Sequence, residues 1–264
     1  MNLKRLGRPL VVVIGLAVLV FVGGLVMSDF TAHMYWMKAH RILLDQHEPD
    51  ETDRETRLRD ARTMLTKALA ISPTHAEMWF DLGRVADGLR EIEQERADDQ
   101  EKLREVADLS EKSYARAAAL CTQHPRYRLA LAWSSAANQL FVKRRLRDGD
   151  FHKLETLFTA AEELAPHDPK IQFSCASFWL MSERMFDRET RPRAIDAFAR
   201  CIAADPDRWV PAVREKFAAD PPSVEEMYRL VGPRRHLIRQ IHADTGGAVT
   251  KLRRDVVAVN AAAR

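Results

Sequence analysis

The chain has 264 residues, 46% of them hydrophobic, with 41 basic and 38 acidic side chains and a formal charge of +3. Lys4, Arg5 and Arg8 precede the first acidic residue, Asp29, and account for the whole excess; the neutral remainder is unlike a nucleic-acid-binding domain, which carries a basic face. Val/Ile/Thr runs are scarce beyond the first thirty residues and the three cysteines form no C-x-x-C pair, so sheets and thiolate metal sites are disfavoured, and the abundance of Ala, Leu, Arg and Glu predicts an all-α chain.

Pro9 to Met27 is uncharged and apolar, about the 20 residues that a bilayer-spanning helix needs. Basic residues before it and Asp29 after it predict a cytoplasmic N-terminus and a domain on the opposite side, with Tyr35 and Trp36 as interfacial anchors. The expected layout is a cytoplasmic segment 1–8, a transmembrane helix 9–28, a helical repeat domain 29–219 and a C-terminal helical extension with a basic tail, 220–264. The competing reading is a secretory signal cleaved near Val26-Met27-Ser28, although the apolar run is longer than such signals require and no A-x-A site follows it. Both readings export the domain. Arg outnumbers Lys, as suits a GC-rich bacterial genome, so the expected location is a bacterial inner membrane, single-pass, with the C-terminal domain periplasmic.

Beyond Asp29 the pattern predicts a helix running on from the anchor through Tyr35, Ala39 and Ile42, then a polar loop over Gln46–Glu55. Next comes Ala61-x-x-x-Leu65-x-x-Ala68-Leu69-x-x-x-Pro73, with small or apolar residues on one helical face and a proline that stops the helix. Trp79-x-x-Leu82-Gly83-x-x-Ala86 opens another helix, where the missing Cβ of Gly83 lets a neighbour approach. Val85, Leu89 and Ile92 continue that stripe, and Leu103, Val106 and Ser110 begin the next. The stretch between, Glu93 to Glu101, has no Gly or Pro, which predicts two helices lengthened by about two turns into a charged hairpin projecting from the body. Its end is either solvated or a docking site.

Tyr114, Ala117 and Leu120 close that helix before Pro125. Leu131, Ser134, Ser135 and Asn138 form a poor copy of the Trp79 pattern, and Arg144 to Gly149 reads as a basic loop. The Ala61–Pro73 spacing returns as Leu154-x-x-x-Phe158-x-x-Ala161-x-x-x-x-Pro166, followed in phase by Gln172, Cys175, Ala176 and Trp179. A third copy is Ala194-x-x-x-Phe198-x-x-Cys201-Ile202-x-x-x-Pro206, with Pro192 in its first turn. Cys175 and Cys201 fall on core positions as small hydrophobes; one disulfide among the three cysteines stays open. Trp209 and Val213 start a capping helix, and Ser223-Val-Glu-Glu226 is a capping box for a short helix ended by Gly232-Pro233. Arg234, Arg235, His236 and Arg239 form a basic patch. After the Gly246-Gly247 hinge, Val249, Leu252, Val256 and Val259 line up beside Lys251, Arg253 and Arg254, either as a self-docked tail or as a helix for a partner or an anionic lipid surface.

Three copies of the small-aromatic-small-proline spacing, together with W-x-x-L-G, resemble the tetratricopeptide repeat (TPR) family. The resemblance implies a solenoid of helical hairpins whose first helices line a concave, protein-binding groove. Matched position by position, the groove residues are Phe80, Arg84 and Asp87 in one repeat and Lys170, Phe173 and Ser177 in another. Phe80 and Arg84 stand where a carboxylate-gripping lysine and asparagine would be, so that clamp and its ligands are not implied. There is no G-x-S-x-G, H-E-x-x-H, phosphate-cradling glycine loop or other catalytic set, and His75, His124 and His167 flank turns. The expectation is therefore a non-enzymatic scaffold with no cofactor, no metal, no nucleic acid and no small-molecule substrate. It would bind other proteins, membrane or envelope components, during assembly of an envelope complex such as one for secretion, polysaccharide export, cytochrome maturation or division. The alternative is a stoichiometric subunit of a larger membrane complex, or an accessory protein for polysaccharide export.

Overall fold

The computed structural model describes residues 3–45, 51–96, 99–143, 148–186 and 189–242. Among them are helices and turns and no strand. The helices are α1 (Leu3–Leu44), α2 (Glu51–Ile71), α3 (Ala76–Arg96), α4 (Gln100–Leu120), α5 (Pro125–Ala137), α6 (Asp148–Leu164), α7 (Pro169–Phe186), α8 (Arg191–Ala204), α9 (Pro206–Lys216), α10 (Val224–Val231) and α11 (Ile238–His242). A π-helical turn, Asn138–Lys143, continues α5, and a 3₁₀ turn, Arg235–Leu237, precedes α11. The Lys251, Arg253 and Arg254 tail lies outside the described residues. Two compact units divide the chain within α5: residues 1–122 with 133–144, and 123–132 with 145–264.

In the first unit, α1 is one unbroken helix of 42 residues, about 63 Å long at 1.5 Å per residue, roughly twice the thickness of a bilayer's hydrocarbon core. Its stretch Leu16–Leu44 is long and apolar enough to cross a membrane. The C-terminal part also serves as the first helix of the unit, with Ala32 and Ala39 fully buried. The contacts of Asp29 with Ser72 and His75, and of Asp45 with Arg57, set α2 antiparallel to α1. Ala61, Leu65 and Ala68 are fully buried, as their spacing predicts, and α2 ends at Ile71, two residues before Pro73. The indole of Trp79 donates to the Pro73 carbonyl at 2.9 Å and closes the turn.

Three sequence expectations change here. Tyr35 and Trp36, expected as interfacial anchors, both pack against the unit's core, and the Trp36 indole donates to Asp81 at 2.9 Å. Of the loop expected over Gln46–Glu55, Glu51–Glu55 are the first turns of α2, and residues 46–50 lie outside the described residues. Consequently the lengthened hairpin of α3 and α4, 21 residues each as anticipated, does not project alone. The 21-residue α2 runs beside it, Arg96 donates to Glu55 at 2.7 Å and Arg62 to Glu105 at 2.8 Å, while Leu89, Ile92, Leu103 and Val106 are buried. The Arg96 guanidinium holds the Glu55 carboxyl below its ordinary range.

In the second unit, Phe158 and Ala161 of α6 and Phe198 and Cys201 of α8 are fully buried. Phe158 and Phe178 stack at 3.8 Å, with Trp179 edge-on to both. Gln172 replaces the tryptophan of the first copy yet does the same task, its side-chain amide donating to the Ala165 carbonyl at 3.1 Å beside the turn. Cys175 and Cys201 are free thiols that donate to the carbonyls of Phe158 and Pro169. Burial pushes both thiols up to about 12, so they stay protonated and inert.

The Ser223–Glu226 capping box forms as predicted, and α10 stops at Gly232, which takes a φ of 53°. Of the basic loop expected over Arg144–Gly149, Asp148 and Gly149 are instead the first residues of α6, and residues 144–147 lie outside the described residues. α10 docks through Arg191, which reaches Asp220 and Glu226 at 2.6 Å each, and Arg229, which pairs with Asp196 at 2.6 Å.

Candidate functional site

The six predicted groove residues fall into two trios, one in each unit, with different fates. On α3, Asp87 is committed to its own unit, accepting from Ser110 at 2.7 Å and Tyr114 at 2.8 Å. Burial, and then the charge of Asp87, push the Tyr114 phenol well above its ordinary value, so it remains a donor. Gly83 lies under that ring: a Cβ there would meet Tyr114 at 2.6 Å. Phe80 is half-buried, 5.5 Å from Tyr114. Arg84 leans on the buried carboxylate of Asp81 at 3.3 Å. Arg84 and Asp87 nevertheless line one open cleft of about 270 Å³, together with Leu43, Arg54, Leu58 and Glu91.

On α7, Lys170 is exposed. Phe173 is not a free groove aromatic; its ring packs between Phe198 at 5.4 Å and Trp209 at 5.0 Å. Ser177 turns back to donate to the Phe173 carbonyl at 2.9 Å. The basic patch is also partly structural. Arg234 caps α8, donating to the carbonyl of Ile202 at 2.9 Å, and Arg235 lies over the Tyr228 ring; Arg239 is exposed.

Two features were not anticipated. A cleft of about 420 Å³ between α8 and α10 has an apolar floor that includes Ile202 and Leu230, and is rimmed by Arg200, Arg229 and Arg234. Each of these arginines already has a protein acceptor: Glu162 and Gln172 for Arg200, Asp196 for Arg229, and helix carbonyls for Arg234. The second feature is the outer face of α1. Phe30, Met34, Met37 and Leu44 are 41–59% exposed on the side away from Ala32 and Ala39. They continue Leu16, Val20, Gly23 and Met27 at alternating spacings of four and three, with Arg41 the one charged member. The alternation was visible in the sequence; that this face is left uncovered beyond the apolar run required the fold.

No protein-family model matches this chain, and no curated protein matches it in sequence.

Proposed function

We propose that the chain is a membrane-anchored, TPR-like adaptor that holds a membrane-protein partner on the extracytoplasmic side, with its N-terminus in the cytoplasm. The observation that carries this reading is the α1 face. A helix surrounded by water on that side would present polar residues there, whereas Phe30, Met34, Met37 and Leu44 form an apolar stripe, with Arg41 its one charged member, that continues the apolar face of Leu16 to Met27 into the domain. The occupant that fits is a helix of another membrane protein whose own apolar stripe leaves the bilayer at the same level. A spacing averaging 3.5 residues suits such packing, and Arg41 would set its register. The TPR resemblance is supported by the burial of all three signature copies and by Trp79 and Gln172 bonding equivalent turns. Lys4, Arg5 and Arg8 support the orientation.

The continuity of the stripe also favours a second reading, a permanent subunit of a membrane complex. Mild detergent extraction followed by native mass measurement separates the two. A complex of fixed stoichiometry supports the subunit, and a monomer that crosslinks to partners only in intact membranes supports the adaptor. A homodimer would make the chain its own partner. An activity reporter that works only outside the cytoplasm tests orientation: fused after Arg264 it should be active, and silence would reverse the topology.

A further inference from the structure

We infer that Asp29, His33 and His75 form a binding site for a divalent transition-metal ion of the zinc type, clamping the α2–α3 turn to α1. Asp29 and His33 are one helical turn apart on α1, so both point the same way. His75 belongs to the turn that α2 brings back against them. One ligand atom from each residue lies within 4.8 Å of the others, and His75 Nε2 is 3.4 Å from Asp29 Oδ1. Ligands at 2.0–2.1 Å in a tetrahedral shell stand about 3.3 Å apart, so one edge of the shell has the required length. The other edges need only side-chain rotation, since His33 and His75 already meet edge to face with ring centroids 5.1 Å apart.

The surroundings hold the ligands in place. Ser72 Oγ donates to the same Asp29 oxygen at 3.3 Å. The ring of His33 rests 5.4 Å from Trp36, itself fixed by its bond to buried Asp81. Two imidazoles and one carboxylate suit zinc and its neighbours and are a poor set for calcium or magnesium, which prefer oxygen ligands. All three residues are partly accessible, so an ion can reach them, and three protein ligands leave a fourth position open to water. In sequence the i, i+4 pair was legible on its own; His75 joins it only through the antiparallel return of α2.

The test uses the untagged full chain in detergent, stripped with a chelator and titrated with Zn²⁺ against a competing chromophoric chelator. One equivalent should bind, raising Tm. Losing even a group that orients a metal ligand weakens binding by ~10–100-fold, so His33→Gln and His75→Gln should each cost at least ~100-fold while helicity is kept. His152→Gln, at an exposed histidine of α6, should change nothing. Absence of saturable binding, or equal losses in all three variants, would overturn the proposal.

Discussion

The two units hold neighbouring helices together by different means. In the first, the contact is made by subtraction: Gly83 has no side chain, the Tyr114 ring occupies that space, and its hydroxyl is held by Asp87. Polar bonds also hold the next contact, between α4 and the end of α5 with its π turn: Ser110 to Ser134 at 2.7 Å, Ser135 to Glu111 at 2.7 Å and Asn138 to Glu111 at 2.9 Å. This explains why Ser134, Ser135 and Asn138 look like a degraded repeat: they face a polar helix rather than an apolar one. In the second unit, the contact is made by addition, with Phe158, Phe178 and Trp179 filling the centre and arginines bridging the rim. Arg193 lies 3.9 Å over Trp179 and pairs with Glu162. Local spacing therefore specifies which residues face inward and leaves open whether packing or hydrogen bonding holds them.

Substitutions can break that contrast, with hydrogen exchange measured unit by unit to locate each loss. Phe158→Ala should be the most damaging, costing about 3–5 kcal/mol in the second unit by leaving a cavity under Phe178. Asp81→Ala in the first unit should cost about 1–3 kcal/mol, because it strands the Trp36 indole and the His40 ring that donate to or pair with that carboxylate. Gly83→Ala, a single added methyl against a ring fixed by Asp87, should also cost about 1–3 kcal/mol; an unchanged Tm would refute the close-contact account.

Smaller effects sharpen the comparison. Burial alone holds the His242 imidazole in α11 below the ordinary 6.5, so the unfolded chain takes up a proton that the folded chain resists. The stability this gives is present above about pH 6.5 and is lost as pH falls through the folded value. Chemical denaturation at pH 7 and pH 5 should show the second unit weakening, and His242→Gln should flatten the trend. Gly149 in α6 has open space around it, so Gly149→Ala should raise stability by at most about 1 kcal/mol, opposite in sign to the change at Gly83.

The helices, their order and the inward faces were legible in the sequence because they depend on local spacing, proline stops and caps: Ala61, Leu65 and Ala68, or Ser223 and Glu226, need no knowledge of distant residues. What was not legible depends on pairing across the chain. Trp36 read as an interfacial residue until Asp81, 45 positions away, gave its indole an acceptor. Glu51–Glu55 read as loop because nothing local shows that Arg96 waits for Glu55. Phe173 read as a groove residue because its partners, Phe198 and Trp209, belong to other helices. On each trio some surface remains for a ligand, Arg84 beside its cleft and Lys170 in solvent, so charge reversal at those two tests the groove better than removing Phe173.

The most direct test of the functional account is photo-crosslinking from α1 in intact membranes, with the reactive residue placed at Met34 or Met37 on the open stripe and, for comparison, at Lys170. Both α1 positions should capture the same membrane protein, and replacing Phe30 with Asp should abolish the adduct without lowering Tm. Capture of lipid alone, or of no partner at either position, would contradict the claim that this face of α1 is where the partner binds.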